Sequence, residues 1–149
     1  MITYKEEKLI DILDEMKPML LKHWEELANY QDIRSLNVDY DSYIKLNELE
    51  LIRIFTVRDS SKLIGYASFY ISNNLHYKNW LHAACDVYYL DPEYRLSGVG
   101  TKTFEELEHW LKSLGVKSIV VQDKINHSHE KFFVRMGFNP IEQNYEKIL

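Results

Sequence analysis

The sequence predicts an α/β fold of the α+β kind, a mixed sheet covered by helices on both faces. Two segments carry apolar residues at three- and four-residue spacing, and short runs rich in Ile, Val, Phe and Tyr lie around them. Gly and Pro punctuate the boundaries.

A short strand is expected at residues 2–4. Leu9, Ile12, Leu13, Met16, Leu20, Trp24 and Leu27 then form an amphipathic stripe. Pro18 interrupts it; proline lacks a donor and crowds the preceding turn, so this is a kinked helix or two helices with Pro18 opening the second. Residues 29–39 are polar and read as a loop, and 39–47 as a short helix capped by Asp39 or Asp41. Residues 51–58 and 63–71, separated by Asp59, Ser60 and Ser61, read as a hairpin. A loop over 72–80 leads to a third strand, 81–90, which Asp91 and Pro92 end. Phe104, Leu107, Leu111 and Leu114 mark a helix from Val99 that stops at Gly115. A strand at 117–122 and a helix at 128–136, ending at Gly137, follow. The tail, 138–148, returns to strand character with a break near Pro140.

Composition bounds the function. The 149 residues carry 18 Lys and Arg against 23 Asp and Glu, a net charge of −5, and 46% hydrophobic content suffices for one core. The chain is therefore expected to be one folded domain, 1–149, with too little Gly and Pro for a linker. The opening MITYKEEK is charged before any signal core could form, and apolar runs are short, so neither secretion nor membrane spanning is expected. Cys85 is the one cysteine, which excludes an internal disulfide and fits a reducing cytoplasm. Scattered basic residues on an acidic chain exclude a nucleic-acid stripe, and the histidines lack the carboxylate spacing of a metal site.

The most informative segment is Tyr94-Arg95-Leu96-Ser97-Gly98-Val99-Gly100-Thr101, between a strand and a long helix. Such a turn exposes unpaired amides at a positive helix end, and glycine lets phosphates approach the backbone, so a pyrophosphate should sit there. Lys102 comes one position late for a Walker A loop, and Thr103 replaces the third glycine of a dinucleotide fingerprint.

Arg95-x-x-Gly98-x-Gly100 resembles the signature of the GNAT superfamily of acyl-CoA-dependent N-acetyltransferases. Leu90 to Arg95 is similar to that family's strand end and lead-in, and Asn126 to Phe138 to its later loop and helix. The His76-Tyr77 loop, the run from Asp86 to Leu90 and the tail from Glu142 to Tyr145 resemble small members carried by phages. The resemblance implies a mostly antiparallel central sheet, acetyl-CoA as co-substrate and no metal. It also implies that the amides from Leu96 to Thr101 hold the pyrophosphate, with Arg95 and Asn126 as further contacts. Main-chain groups of Tyr88 and Leu90 would hold pantetheine and the thioester. An amide aimed at the thioester oxygen is worth about 2.7–4 kcal/mol in such reactions.

Amide formation needs a neutral amine and a proton for the departing thiolate. The family's usual acid is a Tyr four residues before the glycine of the later helix, where this chain has Phe133, placed against the cofactor without a proton to give. Tyr88, Tyr89, Tyr94 and Tyr145 are substitutes, Tyr145 first, because C-terminal strands of this fold border the acceptor cleft. Strand alternation puts His82, Ala84, Asp86 and Tyr88 on one face. Asp86 in an otherwise apolar strand is the expected base or amine anchor, and His76 and Tyr77 could reach the acceptor from their loop. His82 reads as a satisfied strand histidine, His127 and His129 as caps. Cys85, on the opposite face, reads as a buried apolar residue rather than a nucleophile. Trp24, Tyr30 and Trp80 would line the cleft, or fill the core or a homodimer interface. The expected activity is acetyl transfer to an amine of a small molecule or protein. Its rivals are an acyl-CoA-binding or protein-interaction module with weak or no catalysis, motivated by Phe133, and a nucleotide-phosphate enzyme.

Overall fold

A computed structural model describes residues 1–149. Five strands pair in the order β1 (Ile2–Glu6), β2 (Ile52–Asp59), β3 (Lys62–Asn74), β4 (Tyr77–Leu90), β5 (Ser118–Val120). The first three pairings are antiparallel, and β5 runs parallel to β4. Parallel pairing needs a long crossover. Helix α3 (Val99–Ser113) provides it.

Helices α1 (Leu9–Leu27) and α2 (Tyr40–Glu48) cover one face, where Leu9, Ile12, Met16 and Met19 pack on Ile52, Ile54, Leu63 and Tyr66. On the other face Leu107 and Leu111 of α3 pack on Phe55, Ala67, Phe69 and Cys85. A short α4 (Glu130–Arg135) ends before Gly137. The mixed, mostly antiparallel sheet with helices on both sides thus matches the expected architecture. Asp39 caps α2, accepting from Ser42 N–H at 3.0 Å.

Helix α1 runs through Pro18 as one helix rather than two, because buried Ile12, Met16 and Met19 anchor it on both sides of the proline. Two details differ from the sequence reading. Residues 72–80 are mostly not a loop: β3 and β4 extend into a long hairpin, with Ser72 opposite His82 and Asn74 opposite Tyr77. The tail 138–149 forms no strand. Pro140, which cannot donate to a ladder, interrupts its alternation.

The sheet opens beside β5, and the opening has a local cause. In the β3–β4 ladder Ser68 pairs with Val87 and Phe69 with Cys85, leaving Asp86 as an extra residue in a β-bulge. A bulge shifts side-chain parity, so Tyr88 joins Ala83 and Cys85 on the α3 face while Val87 and Tyr89 turn to the α1 face. The simple alternation that put Tyr88 beside Ala84 and Asp86 fails at this point. Strand β5 pairs β4 only from His82 to Ala84 and ends at Val120. From Cys85 onward β4 therefore lacks a neighbour on that side.

Candidate active site

The glycine turn closes off the end of this gap. Leu96 (φ 63°) and Gly98 (φ 86°) adopt left-handed backbone conformations, which turn the chain sharply from the Pro92–Tyr94 turn into α3. None of the six amides from Leu96 to Thr101 has a partner within the chain, and no acidic residue lies in the first helical turn. The positive end of a 15-residue helix thus presents a run of free donors. A Cβ built on Gly100 would meet only a Leu90 methyl, at 3.8 Å, so nothing in the protein itself demands glycine there.

A cavity of about 620 Å³ extends from this turn along the open edge of β4. Its walls include Tyr66 and Tyr88 of the sheet, His23 of α1, Phe104 of α3, and His129 and Phe132 from the α4 region. Asp91 N–H donates to Ile64 O at 2.8 Å, so by the alternation of an antiparallel ladder Tyr89 and Asp91 direct their main-chain groups toward β3. Those of Tyr88 and Leu90 point the other way, into the gap. The Tyr66 hydroxyl is buried on this wall with no hydrogen-bond partner. Free amides and an open main-chain edge fit a ligand with a pyrophosphate at one end and an amide-bearing arm. Acetyl-CoA is such a molecule.

Arg95 binds protein atoms. Its Nε donates to Leu90 O at 2.8 Å and its other nitrogens to Glu26 at 2.6 and 2.9 Å, so it clamps the turn to α1. That hydrogen bonding holds the Glu26 carboxyl below its usual range. Ser97 donates its hydroxyl to Tyr94 O at 2.6 Å. Asn126 is an exposed residue of the turn joining Lys124 to His127 and lies on neither cavity of the site. Phe133 is buried behind the wall, edge-on to Tyr88 and Phe104, and its neighbour Phe132 faces the cavity instead.

A second cavity, about 280 Å³, lies beyond β4 and shares His23, Leu27 and Tyr88 with the first. Asp86 reaches it because the bulge presents this carboxylate outward. Its Oδ2 accepts from Tyr43 OH at 2.7 Å and Ser68 Oγ at 3.2 Å. Cys85 also touches the cavity, but burial pushes its thiol pKa far up, which keeps the nucleophilic thiolate from forming. Trp24 lines the same space.

His23 was not singled out by sequence reading. On the amphipathic stripe its position adjoins Trp24 and Leu27, and only the packing of α1 against Tyr89 brings it to both cavities. Burial pushes its pKa down; Glu26 opposes this and Arg95 adds to it. The ring is therefore neutral at pH 7. Across the gap the Tyr88 hydroxyl lies 3.4 Å from His129 Nδ1, and Asp123 accepts from the His129 amide at 2.8 Å. Burial raises the Tyr88 pKa and keeps its proton in place. His82, expected to be satisfied, instead buries Nδ1 without a partner.

The remaining expected residues line neither cavity. Tyr77 begins β4, nine residues before Asp86, a span of about 30 Å at ~3.3 Å per strand residue. His76 and Tyr77 thus occupy the exposed far end of the hairpin, because the supposed loop is strand. Tyr145 is 90% exposed and donates to Gln143. The C-terminal strands that would have carried it to the cleft do not form.

Comparison with known proteins agrees with this geometry. A sequence model of the GNAT acetyltransferase family matches residues 9–138. No curated protein sequence matches. Among solved structures, an acetyltransferase from Clostridium acetobutylicum with acetyl-CoA bound is similar over 99% of this chain and 96% of that one, at 15% identity and a TM-score of 0.72. An aminoglycoside acetyltransferase from an uncultured soil metagenomic sample, in complex with sisomicin, covers 99% and 97% at 13% identity and 0.76. Glucosamine-6-phosphate N-acetyltransferase from Arabidopsis thaliana covers 99% and 98% at 13% and 0.72. At such identities these likenesses establish the fold. The class that fold and match define is the acyl-CoA-dependent N-acetyltransferases, which draw their acetyl group from acetyl-CoA. This chain belongs to the GNAT acetyltransferase family.

Proposed function

We propose that residues 1–149 act as one domain that transfers an acetyl group from acetyl-CoA to a primary amine, of a small molecule or protein, by direct attack in a ternary complex. The observation that carries this reading is the meeting of two cavities at the unpaired end of β4, where His23 and Tyr88 face both. Donor and acceptor can then be bound together, which removes the need for a covalent enzyme intermediate.

Acetyl-CoA supplies an activated acyl carbon and a thiolate leaving group. The amides from Leu96 to Thr101 bind its pyrophosphate, and the main-chain groups of Tyr88 with the N–H of Leu90, whose carbonyl is held by Arg95, align the arm. Asp86 receives the acceptor's ammonium. His23, neutral at pH 7, takes a proton so that the amine nitrogen can form the new C–N bond as the C–S bond breaks. The Tyr88 hydroxyl protonates the thiolate and is recharged through His129, in place of the phenol absent at Phe133. The ammonium loses one proton to solvent before attack and the second to His23, which passes it to solvent, so the products are one amide, one thiol and one proton.

Calorimetry with acetyl-CoA and assay of thiol release over an amine panel test this reading. Bulky residues at Gly98 and Gly100 together should abolish both signals in a folded protein; unchanged binding would reject the turn as the site. Tight acetyl-CoA binding with no thiol release for any amine would make the protein a binding module.

A further inference from the structure

Resting on that reading, we infer that the acceptor is a small primary monoamine with an apolar body, its single ammonium held by Asp86. Both hydrogen bonds that Asp86 accepts, from Tyr43 and Ser68, fall on Oδ2. Oδ1 is left without a partner on an exposed carboxylate, and no Lys or Arg pairs with it. The two hydroxyls fix the carboxylate's orientation while leaving its charge uncompensated. A cation is what completes such a site.

The rest of the cavity narrows the class. Leu20, Trp24, Leu36 and Val87 supply apolar wall, and Asp86 is the one carboxylate on it. At about 280 Å³ the space is at the lower end of ligand pockets, near ~300 Å³. The cavity is half open to solvent, and its Leu36 side is held in place: Gln31 donates to three carbonyls at the end of α1, and Arg34 is paired with Glu146 of the tail. Lys124, which has no carboxylate partner, lines both this cavity and the adjoining one. A second ammonium on the acceptor would share the small cavity with the Lys124 cation. Polyamines and aminoglycosides are disfavoured by that repulsion, and an amino sugar phosphate by its lack of apolar surface for Trp24 and Leu36.

The test titrates the CoA-saturated protein with 2-phenylethylamine, isopentylamine, spermidine, kanamycin, glucosamine 6-phosphate and a short peptide with a free N-terminus, and measures turnover of each with acetyl-CoA. The two monoamines should bind and exceed every other amine by at least about tenfold in kcat/KM. Asp86→Asn should raise their KM by a similar factor and leave the acetyl-CoA Kd unchanged. Lys124→Glu, on an exposed side chain, should shift preference toward spermidine without loss of fold. Acetyl-CoA binding with spermidine, kanamycin, the sugar or the peptide as best acceptor would overturn the inference alone, as would an unchanged amine KM in Asp86→Asn. Absence of acetyl-CoA binding would overturn the transferase reading and this inference together.

Discussion

Gly98 and Gly100 are glycines for different reasons. Gly98 needs its left-handed φ of 86°, and alanine there should cost about 1–2 kcal/mol. Gly100 is helical with room for a methyl group, so Gly100→Ala should stabilise the free protein by up to about 1 kcal/mol. The same substitution should weaken acetyl-CoA binding, because the added carbon stands where the ligand approaches. Denaturant melts beside calorimetry would reveal these opposite signs. Proton handling is also decided residue by residue. Burial lowers the His23 pKa from its ordinary 6.5, so the acid limb of kcat/KM should lie below that value and vanish in His23→Gln. The unfolded chain protonates this group more readily than the folded one. Its contribution to stability is therefore complete above pH 6.5 and declines as pH drops toward the lower folded value. Tyr88→Phe keeps the ring against Phe104 and Phe133, and should cut kcat by about 10²-fold or more with little change in acetyl-CoA affinity.

At the scale of elements, the bulge at Asp86 does what regular pairing could not. It faces Tyr88 and Asp86 toward different surroundings and lets β5 part from β4, which exposes main-chain groups to a ligand. The Arg95–Glu26 pair then ties the turn to α1 across 69 residues of sequence. Partly exposed pairs contribute little to stability, about 0–1 kcal/mol. Glu26→Gln should thus leave the melting temperature nearly unchanged and weaken acetyl-CoA binding several-fold by loosening the turn, as calorimetry would measure. Pro18 left one kinked helix or two helices open in the sequence, and the chain forms one. The buried contacts of Ile12, Met16 and Met19 outweigh the lost hydrogen bond, so Pro18→Ala should raise stability by about 1–3 kcal/mol in a denaturant titration.

Carboxylates grip arginines around the sheet and make its stability depend on pH. Burial pushes Glu6 and Glu7 up, but hydrogen bonds from Arg53 and Trp110 to Glu6, and from Arg58, Thr56 and Lys5 to Glu7, together with the arginine charges outweigh it. Glu15 and Glu26 are lowered chiefly by hydrogen bonds from Arg58 and Arg95. With folded pKa values below the ordinary 4.5, these groups stabilise the protein fully above that pH. Stability should fall progressively as pH descends through the lower values, which urea titrations between pH 6 and 3 would follow. The sequence by itself determined the element order as far as α4, the two helical faces, the glycine turn and the absence of a phenol at Phe133, because periodicity, left-handed turns and residue chemistry are local to the chain. Only the tertiary structure decided that His23 stands with Tyr88 and His129, that Arg95 serves the turn rather than open solvent, that His76 and Tyr77 lie at the far end of the hairpin, and that Tyr145 faces solvent. Cavity walls are assembled from residues a hundred positions apart. A single bulge reverses which face a strand residue meets, and no spacing in the chain records where one will form.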